Sequence, residues 1–449
     1  MNRFTTLALT ALLLSACAAA PELDGRPVTA QRAADFQSSL QTTVAPVWTL
    51  DFGDAGLRRM LAEADATGLD AASARARFRA ADLALDQVRS SAGLGATAGF
   101  GADNKALSVT GALRYEPDLT GRIDAALQAA SLDHTASGLD LLIARRTLAR
   151  AVTQGWVALA EARGDVARAA ETISADQNAI VLLRLRRDAG EITGADLAAR
   201  NQALIRAQAA SAGAAGRVAL AEARLRALGV QTIPAAISLK SATRPALSAR
   251  TDLAATQATP AVCTAWLRFQ ASDATRAQTL AETRPRLVLT SSLSATATTL
   301  AGLITGNAAA VTNVVRLEGN LLDSGQSRRT IDRARLSVAQ AEIDWLRARN
   351  QAEITALEAT TARQSAEAGL DAAIAAWRNA RDDLDRVRAR LDAGQADALD
   401  LAEATRGLNA AQADIDRTRA EAFLAAAALH DALPPVLPGC DATTAPAPA

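Results

Sequence analysis

The sequence predicts an α+β membrane protein: long α-helices packed as a coiled-coil-like barrel, continuous with a transmembrane β-barrel shared between copies of the chain, each giving four strands. Three observations predict it. The thirteen prolines are placed so that 118–233 and 286–433 contain none, which leaves two stretches free to be helical over unusual lengths. A set of short motifs recurs about 205 residues apart, the mark of a tandem structural repeat. Each repeat also carries two strand-like runs near ten residues long, the length that crosses a bilayer when tilted.

Composition narrows the function. The 48 basic and 48 acidic residues cancel, and only 3% of the 449 residues are aromatic, so nucleic acid is not an expected partner. His134 and His430 stand far apart with no neighbouring ligand cluster, so neither a metal site nor a cofactor is expected. No P-loop, Gly-x-Ser-x-Gly or His-Glu-x-x-His pattern occurs, so no catalytic residue is assigned and an enzyme is not expected.

At the N-terminus, Arg3 and the apolar run Leu7 to Leu14 read as a secretory signal peptide over 1–16. The run is too short to remain as a membrane span. It ends in Leu14-Ser15-Ala16-Cys17, which resembles the lipobox of bacterial lipoproteins and implies a covalent lipid on Cys17. The alternative is ordinary cleavage near Ala16 to Ala20 with an incidental cysteine. Cys263 and Cys440 would then lie in an oxidising compartment, where a disulfide between them is possible.

The elements follow in order. Residues 17–53 form a lipid-anchored N-terminal segment. Repeat 1 covers 54–228: a helix over about 54–91, a hairpin in 92–116, a long helix over 122–188 and a return helix over 194–228. A linking segment, 229–258, leads to repeat 2 over 259–432. Its parts are a helix near 260–283, a hairpin in 286–322 with a longer loop at about 298–310, a long helix over 326–391 and a return helix over 398–432. A tail, 433–449, ends the chain. Alternation and Gly/Asn turns mark the hairpins. Pro117, Asp118 and Gly121 form the first strand-to-helix turn, and Asp323 and Gly325 the second. Asp188-Ala189-Gly190 recurs as Asp392-Ala393-Gly394, and Asp196-Leu197 as Asp400-Leu401. Glycines Gly190 and Gly394 therefore break the long helices. A helix of some 67 residues is roughly 100 Å long.

Four strands cannot close a barrel, and open edges in lipid leave backbone groups unsatisfied at several kcal/mol each. The chain must share its barrel with copies of itself. Three copies give twelve strands, within the range of membrane barrels, although strand arithmetic alone also allows two or four.

The paired Asp-Leu-x-Gly-Arg and Leu-Asp-x-Gly turns, the duplicated Gly-to-Asp-Leu turns and the lipobox together resemble the outer-membrane factor family of TolC-like channels, especially its lipoprotein branch. The resemblance implies a homotrimer that shares a twelve-stranded barrel in outer-membrane lipid, four strands per chain, with a periplasmic helical tunnel. An equatorial region would come from about 18–53, 229–258 and 433–449. The tips at Gly190 and Gly394 would rest on a periplasmic adaptor (membrane fusion) protein, which links to an inner-membrane pump of the resistance-nodulation-division (RND) type or to an ABC exporter. The resemblance further implies that Asp400 and Glu403 ring the periplasmic constriction and that Asp196 takes part in closing it. Read alone, Asp400 and Glu403 are equally solvated helix residues, and Asp196 a first-turn charge favoured by the helix dipole. The chain departs from the family at Arg187 and Leu391, where tyrosine is usual, and at Ala396, where the basic gate partner is usual. Phe100 and Tyr115 alone make a weak aromatic girdle. The implied function is passive efflux of small toxic compounds. The alternatives are a duct for type I protein or peptide secretion and, from another class, a lipid-tethered periplasmic coiled-coil scaffold.

Overall fold

The structure, a computed structural model, describes residues 54–102, 106–237, 253–299, 309–319 and 323–433. The expected signal peptide 1–16, the segment 17–53 with Cys17, residues 238–252 and the tail from 434 with Cys440 lie outside the described residues.

Helix formation follows the proline map. Helices α1 (Ala55–Thr67) and α2 (Leu69–Ser91) lead into strands β1 (Gly95–Ala102) and β2 (Leu107–Tyr115), then helices α3 (Arg122–Asp188) and α4 (Gly194–Ala227). After a 3-10 turn at Leu253–Ala258 come α5 (Pro260–Glu282), β3 (Arg286–Ala297), β4 (Ala309–Glu318), α6 (Gln326–Asp392) and α7 (Ala398–Ala432). Both α3 and α6 hold 67 residues without a proline. Pro260 sits in the first turn of α5, where its missing N–H would be unpaired anyway.

The sequence predicts one helix over 54–91, and here the structure differs. Gly68, at φ −63° and ψ 133°, separates α1 from α2. The cause is long-range packing. A Cβ at Gly68 would lie 2.4 Å from the Ala64 carbonyl oxygen and 3.0 Å from that of Leu228. Thr67 Oγ1 donates to the Gly229 carbonyl at 2.7 Å. Glu63 accepts the amides of Gln231 and Thr232 at 3.0 and 2.9 Å, and the Thr232 bonds hold its carboxyl below the usual range. Arg163 donates to the carbonyls of Pro234 and Ala235. The chain leaving α4 is thus strapped across the break.

The main core forms where α1, α3, α4 and α7 meet. Leu57, Met60, Val152, Trp156, Leu159, Leu225 and Phe423 are buried there, with alanines such as Ala149, Ala221 and Ala427 allowing close helix approach. Each large side chain buried contributes about 1.5–3 kcal/mol. A second core joins α3 to α5 through Leu132, Leu139, Leu142 and Leu267. Cys263 is fully buried in it and is disulfide-bonded, its partner cysteine lying outside the described residues. Near the far end of α3, Ile180 and Leu183 pack on Leu197 of α4.

The strands form one antiparallel sheet in the order β1-β2-β3-β4. The two expected hairpins are joined by a β2–β3 pairing that runs from Leu107↔Ala297 to Tyr115↔Leu289. β1 and β4 are its edges.

Candidate functional site

Strand register sorts the sheet's side chains onto two unlike faces. Residues directly opposite one another share a face, and alternate residues along a strand do not. One face carries Ala96, Ala98, Phe100, Val109, Leu113 and Tyr115 from the first hairpin, and Leu287, Leu289, Leu293, Val311, Val315 and Leu317 from the second. The pair Ser291↔Asn313 is its polar exception. The other face carries Thr97, Gly99, Ser108, Thr110, Ala112, Arg114, Thr290, Ser292, Ser294, Thr312 and Arg316, with Val314 and the buried Val288 as its apolar exceptions. Among the described residues, every exposed large apolar side chain of the strands lies on the first face; Phe100, Val311 and Val315 are each about two-thirds exposed, at 67%, 67% and 68%. Such a face is stable against hydrocarbon and unstable against water. No helix among the described residues is long and apolar enough to cross a membrane.

Turns between sheet and long helices are built from the residues that the sequence singles out. Asp118 accepts the Asp124 amide at 2.8 Å, and the Pro117 carbonyl accepts the Leu119 amide. Asp323 accepts the amides of Gly325 and Ser327 at 3.0 and 2.7 Å; the Ser327 bonds hold its carboxyl below the usual range. Gly121 and Gly325 precede α3 and α6 in the left-handed region, at φ 73° and 77°. Both aspartates therefore satisfy N–H groups at the start of helices, which have no intrahelical acceptor.

At the opposite ends of α3 and α6, Gly190 and Gly394 take φ 79° and 71°. These are values at which a Cβ is strained. The amides of Glu191 and Gln395 then donate back to the carbonyls of Arg186 and Arg390, closing both helices. Both return helices open on capping boxes, Thr193 with Asp196 in α4 and Asp397 with Asp400 in α7. Asp196 accepts the Thr193 amide and hydroxyl at 3.0 and 2.7 Å, and the hydroxyl bond holds its carboxyl below the usual range. Asp397 accepts the amides of Leu399 and Asp400, while Asp400 accepts the Asp397 amide at 3.1 Å. Arg186, at the end of α3, pairs with Asp397 at 2.7 Å and so ties the first turn to the second. Burial raises the Asp397 carboxyl, but the two amides and the Arg186 guanidinium outweigh it and hold it below the usual range.

Glu403, one turn beyond Asp400, reaches Arg200 of α4 at 3.1 Å and is 62% exposed. Arg200 also pairs with Asp176 of α3 at 3.2 Å, and Arg406 of α7 meets the same oxygen at 2.7 Å. Asp176 is buried, and its second oxygen has no hydrogen-bond partner. One carboxylate thus holds α4 and α7 to α3. Among the described residues no hydrogen bond or ion pair joins Asp196 to Asp400 or Glu403. The sequence reading passes over Asp176, Arg200, Arg406, Arg186 and Asp397. For Asp176 a signal existed: it lies on the same helical stripe as Ala179, Ile180 and Leu183, all buried. Among the described residues no group of three or more His, Cys, Asp and Glu side chains is placed to hold a metal ion.

Solved structures share this architecture. CusC, described through its transmembrane channel formation, matches at TM-score 0.75 and 18% identity, over 93% of this chain and 99% of its own. The outer membrane protein VceC of Vibrio cholerae matches at 0.70 and 19%, over 87% and 98%. The open state of the MtrE outer membrane channel of Neisseria gonorrhoeae matches at 0.72 and 19%, over 84% and 88%. This chain has the fold of outer-membrane channels. No family model matches it, and no curated protein does. At these identities the likeness concerns fold, and the two-faced sheet and the capped turns above are this chain's own residues.

Proposed function

We propose that this chain is one subunit of an outer-membrane exit channel that passively conducts small toxic compounds, received from an RND-type pump through a periplasmic adaptor. The observation that carries the reading is the sheet: one exposed face is apolar, the other polar, and both edges are open within the described chain. Lipid suits the first face, a water-filled lumen the second, and further copies of the chain the edges. Three copies close twelve strands, and the lipid on Cys17 would add a tether to the same membrane. The fold shared with VceC and MtrE supports the outer-membrane placement.

In the assembled channel α3, α4, α6 and α7 form the tunnel wall, and the turns at Gly190 and Gly394 face the adaptor. Asp400 and Glu403, one helical turn apart, would contribute two stacked carboxylate rings near its narrow end. Asp196 would support closure there from the first turn of α4, where it holds Thr193. Cys263 and Cys440 are the proposed disulfide pair. The chain's own contribution to transport is a path and its gating; energy and substrate choice belong to the pump.

Photo-crosslinking residues placed at Glu191 and Gln395 in cells test the partners. Capture of an adaptor together with a proton-driven pump is the expected result. Capture with an ATP-driven exporter would make the channel a secretion duct, and capture of neither would overturn the tripartite reading. Cys17→Ala should abolish lipid labelling; retained label would refute the lipid anchor.

A further inference from the structure

The polar face of the sheet is not uniform along the strands. Away from the helices it carries Thr97, Thr110, Ser292, Ser294 and Thr312 and no charge. Its charges gather at the helix-side end, in Arg114 of β2, Arg286 of β3, and Arg316 and Glu318 of β4. Two basic groups near this end are spoken for. Arg286 pairs with Glu318 at 3.0 Å, and Arg122, at the start of α3, pairs with Glu116 at 2.8 Å. Arg114 and Arg316 are different. Both are exposed, and neither guanidinium has a hydrogen bond or ion pair among the described residues.

Their cross-strand neighbours offer no carboxylate. Arg114 lies opposite Gly95 and Thr290, and Arg316 opposite Val288. Closing the barrel does not change this, because the strand that another copy would bring against β4 is β1, Gly95–Ala102, which has no acidic residue. Strand spacing sets the two arginines of one chain about 10 Å apart laterally.

We infer that Arg114 and Arg316 form a basic ring at the helix-side end of the barrel lumen, a selectivity site that favours anionic solutes such as carboxylates and phosphates over cations. The inference rests on the channel reading. A guanidinium keeps its charge at every accessible pH, and rings of like charge in a pore set ionic selectivity. Three copies would place six such groups in one zone. The acidic groups at Asp400 and Glu403 lie at the other end of α3 and α6, roughly 100 Å away, far beyond a Debye length of about 10 Å. The two zones therefore act independently, and the path carries filters of opposite sign at its two ends.

The test uses the full-length protein reconstituted in planar bilayers under a potassium chloride gradient, with reversal potential as the readout. The variant R114Q/R316Q should lower the chloride-to-potassium permeability ratio roughly two- to tenfold, the scale of several unit charges screened by water. R114K/R316K, which preserves charge, should leave the ratio at the wild-type value. Pores with an unchanged ratio in R114Q/R316Q would overturn the basic ring. So would an equal fall in R114K/R316K, which would trace the effect to packing. A wild-type protein that inserts but never conducts would instead overturn the channel reading itself.

Discussion

Removing the Asp176 carboxylate should loosen two helices at once. Asp176→Ala strips Arg200, whose side chain is only 8% exposed, of its buried partner. Arg406 loses the same carboxylate but is 41% exposed and can be hydrated, and Arg200 keeps the exposed Glu403. The cost therefore falls at the low end for a broken buried ion pair, about 3 kcal/mol. Since 1.4 kcal/mol is tenfold in an equilibrium, local opening should increase on the order of a hundredfold. Asp176 lies near the end of α3, roughly 18 Å of helix before Asp188, so the loss should be confined to the turn-proximal half of the bundle. Hydrogen exchange resolved by mass spectrometry reads this directly. Peptides around Arg200 in α4 and Arg406 in α7 should exchange faster together, while those around Trp156 keep their protection. Changes below about threefold in both helices, or a change restricted to α3, would refute the cross-link as a three-helix junction.

Three further outcomes are expected. Glu161 of α3 faces Asp165 on its own helix and Asp416, Glu421 and Arg417 on α7; burial first and these carboxylates next push its carboxyl up to about 7. A raised carboxyl contributes stability that is full below its ordinary value and lost as pH rises through about 7. The wild type should therefore weaken between pH 5 and pH 8 by about 1–2 kcal/mol after screening by water, and E161Q should show a flatter thermal-melting profile; parallel profiles would refute this. The Asp397 carboxyl is held down, so the Arg186–Asp397 tie is present above the ordinary aspartate value and lost as pH falls through the lowered one. Spin labels at Glu191 and Gln395 should give a narrow distance distribution at neutral pH that broadens in strong acid, whereas R186A should be broad at both. A Cβ at Gly190 or Gly394 meets nothing within 4 Å, so Gly→Ala at either should cost only the left-handed backbone, about 1–2 kcal/mol each, seen as faster exchange in the adjoining helix ends.

The long helices were legible because proline is absent from them and because glycine and acidic caps punctuate their ends. The strands were legible from alternation and length. What could not be read locally were the features that distant segments impose. The break at Gly68 lies inside an apolar pattern that continues through it, and comes from the approach of Leu228 and Gly229. The β2–β3 pairing joins segments separated by α3 and α4. At the turns, Asp196 and Asp400 were visible as acids beyond each glycine, but their bonds to Thr193 and Asp397 needed geometry. Arg200 and Arg406 were two among many arginines. Only the buried placement of Asp176 separates them from the solvated rest. Cys17, Cys440 and the segments that hold them fall outside the described residues, so what the sequence implies there stands on the sequence.

The central claim is that one face of the four-stranded sheet meets lipid and the other meets water. Nitroxide labels placed singly along β2 and β4 of the full-length protein in liposomes test it most directly. The account predicts a period of two. Labels at Val109, Leu113, Val311 and Val315 should be accessible to oxygen and shielded from a water-soluble nickel complex, and labels at Thr110, Ala112, Thr312 and Val314 should show the reverse. Equal access of the nickel complex to both sets, with the protein bound to the vesicles, would contradict it.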